Sequence, residues 1–243
     1  MAILSVSGVQ SGVGGNTIAA NLAATFCELG HKTIVVDASL KNLVGHWFGL
    51  RHDQQGWSEK MDLQSAWQQV IFKDNQGTFY IPYGNKAQSQ DAIKNALTLM
   101  LSELKLKFDI IIVNLDCELA RAQQLDFDLH LKVLMPTPAS VLLLNQFLIR
   151  ENYPNQYLYV LNQCRHDIAL NRDMTLLIQQ ILDKKLLNSA IYYDIALQEA
   201  FAQMQNLVTG APLSHAKIEF SQLAQECLQH CQLSPIVKRV KGL

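Results

Sequence analysis

The chain reads as an α/β protein: a mostly parallel, twisted sheet with helices on both faces. Three observations carry that reading. Short β-branched runs, of which Phe108-Asp-Ile-Ile-Ile-Val-Asn114 is the clearest, alternate with stretches of helical spacing. A glycine-rich turn, Gly8-Val9-Gln10-Ser11-Gly12-Val13-Gly14-Gly15-Asn16-Thr17, joins an apolar strand to a helix-forming run. The length, 243 residues with 49% hydrophobic and 17% charged, suits one such domain with a full core. That domain is expected over residues 1–233, with 234–243 as a short basic tail.

Ile3-Leu4-Ser5-Val6 is the first strand, and the run from Thr17 to Leu29 is the first helix, closed by Gly30. Lys32-Thr-Ile-Val-Val-Asp37 is a buried strand ending in a carboxylate. Residues 38–57 are turn-rich, and 58–71 form a helix holding Trp67. Thr78-Phe-Tyr-Ile-Pro82 is a short strand stopped by Pro82-Tyr83-Gly84. Residues 89–106 place Ile93, Leu97, Met100, Leu101 and Leu104 at helical spacing. Strands over 108–114, 129–135 and 156–162 follow, with a helix over 139–150 after Pro136-Thr137-Pro138. A helix over 172–186, a short strand at 189–191 and a helix over 195–205 come next. The last helix, 214–232, carries Ile218, Phe220, Leu223, Cys227 and Leu228. Ligands in such sheets bind at the carboxyl ends of the strands. The glycine-rich loop, Asp37, Asn114, Asp116 and Asn162 all fall at strand ends, so they are expected to converge on one face.

Composition narrows the function classes. A net charge of −1 gives no general pull toward nucleic acid or anionic lipid. The longest apolar runs fall far short of the roughly 20 residues of a membrane helix, and no signal peptide is visible. Five scattered cysteines fit a reducing cytoplasm better than a disulfide framework. Cys227, His230 and Cys231 lie close together on the last helix, but His230 is off the cysteines' shared face and no second ligand pair is near, so they read as core cysteines. Trp47-Phe48 and Trp57 have no interleaved basic residues, which favours core or interface aromatics over a base-stacking platform.

The loop is built to hold phosphate, since glycines expose backbone N–H groups and a helix points its positive end at the bound group. It nevertheless departs from G-x-x-x-x-G-K-[ST]: Val9 stands where the first Gly belongs, Gly15 where the Lys belongs and Asn16 where the Ser/Thr belongs. Without a family match, such a turn is equally well a packing device.

Gln10-Ser-Gly-Val-Gly-Gly-Asn-Thr-Ile-Ala-Ala-Asn-Leu-Ala resembles the deviant loop KGGVGKTTxxxNLA of the MinD/ParA ATPases. Ile34-Val-Val-Asp37 looks like their strand into the first switch, Phe108–Asn114 like their Walker B strand, and Leu161-Asn162-Gln163 like their adenine-reading segment. Ile191-Tyr-Tyr-Asp-Ile-Ala-Leu-Gln-Glu-Ala200 resembles their IPxDxxxxEA segment, and Thr209-Gly-Ala-Pro212 fits the family's ending. Within the family, Gln55-Gly56-Trp57, Trp67, Ile81-Pro82-Tyr83-Gly84 and Pro138-Ala-Ser-Val-Leu-Leu-Leu144 are similar to the cellulose-biosynthesis branch, the BcsQ (YhjQ) proteins.

The resemblance implies a P-loop NTPase fold and a cytoplasmic homodimer that sandwiches nucleotide. It also implies an accessory role beside small companion proteins and cellulose synthase or secretion components. Membrane association would come through those partners, and no nucleic acid is implied. ATP is the implied ligand, held by Gln10, Gly12, Val13, Gly14, Gly15, Asn16, Thr17 and Asn162. Mg²⁺ binding is weakened, because Asn16 matches the hydroxyl ligand, Asn114 the Walker B Asp and Ser39 a second switch carboxylate, with Asp37 retained. Asn16 and Asp37 are thus weak metal candidates; Asp37 and Asp116 are the candidate catalytic carboxylates, Asp116 as a displaced metal ligand. The family's two phosphate lysines match Gly15 and Gln10. Losing two charge-assisted hydrogen bonds of roughly 1.5–3 kcal/mol each weakens phosphate binding steeply. No iron–sulfur cluster is expected, since Cys117 near the switch has no evident second cysteine. The expected function is a nucleotide-binding or pseudo-nucleotide-binding scaffold with little or no hydrolysis, a pseudo-ATPase. A slow ATP-driven monomer–dimer switch and a nucleotide-free interaction module are the alternatives.

Overall fold

In the computed structural model, eight strands form one sheet in the order β3-β4-β2-β5-β1-β6-β7-β8. The structure describes residues 1–61, 66–122, 125–150 and 157–234. The strands are β1 (Ala2–Gly8), β2 (Thr33–Ala38), β3 (Phe72–Lys73), β4 (Phe79–Ile81), β5 (Ile110–Leu115), β6 (Leu129–Leu134), β7 (Tyr157–Cys164) and β8 (Leu186–Tyr192). Every pairing is parallel except β3 with β4. The helices are α1 (Gly15–Glu28), α2 (Gln90–Leu104), α3 (Cys117–Ala122), α4 (Pro138–Arg150), α5 (Ala169–Leu182), α6 (Ile195–Ala202), α7 (Leu207–Gly210) and α8 (His215–His230).

The period-two alternation of buried strands separates the two faces. Ile110 and Ile112 of β5 join Leu4, Val6, Val35, Leu131 and Val133 in a core packed on α1 and α8. Ile111 and Val113 face the other way, with Ile34 and Val36, against Ile93, Leu97, Met100, Leu101 and Leu104 of α2. Leu134, Tyr159 and Leu161 extend that second face toward Leu144 and Phe147 of α4 and Ile178 and Leu182 of α5. Each fully buried aliphatic side chain contributes about 1.5–3 kcal/mol, so the central strands anchor the frame that carries the loops. At the β8 edge, Glu226 of α8 accepts hydrogen bonds from the Asn188 and Ser189 amides at 2.8 and 3.0 Å, and Glu219 accepts from the Tyr192 amide at 2.9 Å.

Several elements differ from the sequence expectation. The described parts of 58–71 are 3₁₀ turns, Trp57–Glu59 and Ala66–Val70, rather than one helix. The Trp57 and Ser58 amides bond the Pro82 and Tyr83 carbonyls at 3.1 and 2.8 Å, which ties the first of these turns to the chain after β4. The two-residue β3 and six-residue α3 were not anticipated. Helix α5 begins at Ala169 and ends at Leu182, and β8 is longer than 189–191. Ile218, placed on the apolar face of the last helix, is exposed, whereas Phe220, Leu223, Cys227 and Leu228 are buried. Most of the basic tail lies outside the described residues. Among the described residues, no helix is long and apolar enough to cross a membrane.

Candidate functional site

β1 lies between β5 and β6, and the chain moves to one side of it through α1 and β2 and later to the other through β6. This reversal opens a crevice beyond the carboxyl ends of the strands. A cleft of about 560 Å³ occupies it, lined by the glycine-rich loop, the end of β5, the β7 end at Asn162 and the segment after β8.

The loop has the shape its glycines predict. Gly12 and Gly14 take φ values of +85° and +92°, the left-handed region where a side chain is strained. Gly14 is the N-cap of α1, and no side chain caps that end. The first amides of a helix lack partners within it, so Gly15, Asn16 and Thr17 leave donors and the helix's positive end at the cleft. Asn162 braces the loop from behind: its Nδ2 donates to the Val13 carbonyl at 2.8 Å, and a Cβ on Gly14 would collide with that same nitrogen. Asn162 is 2% exposed, and its Oδ1 has no hydrogen-bond partner. Gln10 turns within its own chain, donating through Nε2 to Ser140 Oγ of α4 at 3.4 Å.

Beneath the loop, Asp37 and Asn114 are register partners of β2 and β5. Asn114 Nδ2 donates to Asp37 Oδ1 at 2.8 Å; the Ser39 amide donates to the same oxygen at 3.0 Å and the Val44 amide to Oδ2 at 3.0 Å. Burial pushes the Asp37 carboxyl up to about 6, against the pull of those three donors; the nearby Asp116 charge adds to the rise. Ser39 Oγ donates to Asp116 Oδ1 at 2.8 Å, and the Leu40 amide donates to Oδ2 at 3.0 Å. The ends of β2 and β5 are therefore joined by protein hydrogen bonds.

This geometry does not fit a magnesium ion held by Asn16 and Asp37. Asn16 is on the cleft wall, but Asp37 is fully buried outside it, with both oxygens engaged. A metal at Asp37 would displace a donor and face the amide of Asn114. Asp116 is on the wall, yet both its oxygens already accept hydrogen bonds from the β2 loop. Among the described residues, no group of three or more His, Cys, Asp or Glu side chains is placed to hold a metal.

Part of the cleft wall is aromatic, and sequence reasoning missed it. Trp47 and Phe201 pack with ring centroids 4.9 Å apart, and both line the cleft with Tyr193 and Leu197. Trp47 is buried with its indole N–H unpartnered. Lys41, also on the wall, was missed because it lies in the turn-rich stretch; the detectable signal was a cation shortly after the strand-end Asp37.

A family model described as "Cellulose biosynthesis protein BcsQ" matches residues 1–228. The chain belongs to the BcsQ family. The BcsQ of Escherichia coli K12 is 34% identical over 85 residues, which are 35% of this chain and 34% of that protein; the matched stretch thus spans about a third of the curated relative. The fold of this BcsQ-family chain is that of the MinD/ParA ATPases. It superimposes on a ParA family ATPase from Chlorobium tepidum with a TM-score of 0.74, at 18% identity, covering 92% of this chain and 97% of that one. The MinC:MinD cell division protein complex of Aquifex aeolicus gives 0.75 at 16% identity, covering 98% and 99%. MinD of Pyrococcus horikoshii complexed with Mg-ADP gives 0.72 at 20% identity, covering 93% and 94%. In this BcsQ-family cleft the loop glycines and Thr17 remain, while neutral residues occupy positions 10, 15, 16 and 114.

Proposed function

We propose that the chain is a nucleotide-binding or pseudo-nucleotide-binding scaffold of bacterial cellulose biosynthesis and secretion, with little or no ATP hydrolysis. One observation carries this reading: the hydrogen bond from Asn114 to Asp37 under an intact glycine cradle. It ties the two strand ends together where the resemblance puts metal-ordering carboxylates. Phosphoryl transfer depends on positioning and charge neutralisation, and this site retains positioning with little of the neutralising chemistry. ATP would lie with its phosphates on the amides of the loop and of the first turn of α1, and its base toward Asn162. The unpartnered Asn162 Oδ1 and Trp47 Nε1 are an acceptor and a donor on the wall of that space. Bound nucleotide supplies negative charge and bulk that can join two subunits.

The protein acts as a homodimer in the cytoplasm and presents its outer surface to small companion proteins and to synthase or secretion components, which bring it to the membrane. The test is calorimetry and turnover of the purified protein with ATP and Mg²⁺. Binding without turnover is expected; turnover abolished by Gly12→Val overturns the reading. A nucleotide-free interaction module is the second reading, favoured by the Asn162–Val13 bond, which holds the loop in shape from within the protein. It predicts no heat with ATP and a dimer by light scattering without nucleotide.

A further inference from the structure

The loop's usual cations are missing, yet the cleft wall is not without positive charge. Lys41 lies on it and is the one Lys or Arg among the described lining residues. Its ammonium has no hydrogen bond or ion pair among the described residues. Its backbone is fixed: the Lys41 amide donates to Ser39 Oγ at 3.2 Å, the Leu40 amide to Asp116 at 3.0 Å, and the Asn42 amide to the Ser39 carbonyl at 3.0 Å. The turn continues through Asn42 at φ +49° into the Val44 amide, which is held by Asp37.

The carboxylates on the same wall are already occupied. Asp116 accepts from Ser39 and Leu40, and Asp194 accepts from the Ala196 and Ala216 amides at 2.9 and 3.3 Å. Neither pairs with Lys41, so its exposed charge is open to a ligand. The ligand side is marked independently by the buried, unpartnered Asn162 Oδ1 and Trp47 Nε1 on this wall.

We propose that Lys41 is the phosphate-binding cation of this cleft, supplied by the turn after β2 in place of the lysines absent from the glycine-rich loop. It neutralises the phosphates of a nucleoside di- or triphosphate seated on the N-terminus of α1. This inference rests on the nucleotide-binding reading above. The same chemistry would also hold free pyrophosphate, so the test includes both.

The test is calorimetry of the full chain with ATP, ADP, pyrophosphate and adenosine, for wild type, Lys41→Ala, Lys41→Arg and the double variant Gly15→Lys/Lys41→Ala. Position 15 accepts a side chain: a Cβ there meets Gly8 N at 3.7 Å and Asn114 Oδ1 at 3.8 Å, ordinary contacts. Lys41→Ala is expected to weaken ATP, ADP and pyrophosphate by about tenfold to a hundredfold, the worth of one charge-assisted contact, and to leave adenosine unchanged. Lys41→Arg retains most of the affinity, and the added lysine at 15 restores it. Tighter binding of ATP than of pyrophosphate identifies the nucleotide as the ligand; equal binding supports Lys41 while pointing to a free phosphate compound. Wild-type ATP affinity in Lys41→Ala overturns the assignment and leaves nucleotide binding standing. An equal loss for adenosine also overturns it, because the effect would then pass through packing. Absence of ATP and pyrophosphate binding in the wild type overturns both.

Discussion

Replacing Asn114 with aspartate puts a carboxylate where the amide now donates to Asp37. The two groups are hydrogen-bonded at 2.8 Å in a site where Asp37 is fully buried. Two full charges at that separation repel by about 6 kcal/mol at an effective dielectric near 20. The pair avoids this by taking up one proton. At pH 7.5, protonating a carboxyl of ordinary pKa costs about 5 kcal/mol, and the O–H···O⁻ bond that results only replaces the N–H···O⁻ bond of the wild type. Asn114→Asp should therefore lose about 5 kcal/mol of stability at pH 7.5. At pH 5.5 the proton costs about 2.7 kcal/mol less, so the deficit should fall to about half. The assay is urea unfolding followed by tryptophan fluorescence at both pH values; Trp57 reports directly, because its indole N–H donates to the Asp37 carbonyl at 2.7 Å. A deficit of the same size at both pH values, or none at pH 7.5, refutes the reasoning.

Other outcomes follow from the same geometry. Gly12→Ala meets open space but positive φ, so denaturant unfolding should show a loss of about 1–2 kcal/mol, the strain of a left-handed residue. Asn162→Ala strands the Val13 carbonyl and should cost about 1–3 kcal/mol; it also removes the atom that Gly14→Ala would strike, so a double-mutant cycle should show the two changes costing less together than their sum. Asp37, raised from 3.8 to about 6, binds a proton more readily when folded, so its contribution is full below pH 3.8 and falls by about 3 kcal/mol as pH rises to 6. His130, lowered from 6.5 to about 4 by burial and the Lys132 charge, runs the other way: its neutral folded form contributes above pH 6.5 and loses about 3 kcal/mol as pH falls to 4. The stability of wild type relative to His130→Phe should accordingly fall by that amount between pH 6.5 and 4 in denaturation series; a constant difference would count against the linkage.

The frame was legible because its signals are local and periodic. The β-branched run of β5 could be little other than a central strand, and the apolar positions assigned to α2 are its buried face. Trp47 and Trp57 are buried, as their neighbourhood suggested. What failed depends on distant partners. The stretch 58–71 reads as a helix holding Trp67, yet its described parts are short 3₁₀ turns, the first tied through the Trp57 and Ser58 amides to Pro82 and Tyr83. The two residues of β3 are too few for any period to register. At the site, the glycine loop and the strand-end polar residues were readable from spacing. The position of Asp37 behind Asn114 was not, because it follows from strand register. Nor was the meeting of Trp47 with Phe201, which brings the 3₁₀ turn Gly45–Phe48 against α6 across more than half of the chain.

The glutamates of α8 at the β8 edge also bear on how copies of this protein can meet. An open strand edge normally offers a row of amides to which another chain can add a strand. Here Glu219 and Glu226, two helical turns apart on one helix, already occupy amides along that row, and the opposite rim ends in the two residues of β3. Among the described residues, neither edge of the sheet offers a long free row of amides, so strand addition between copies has little to grip.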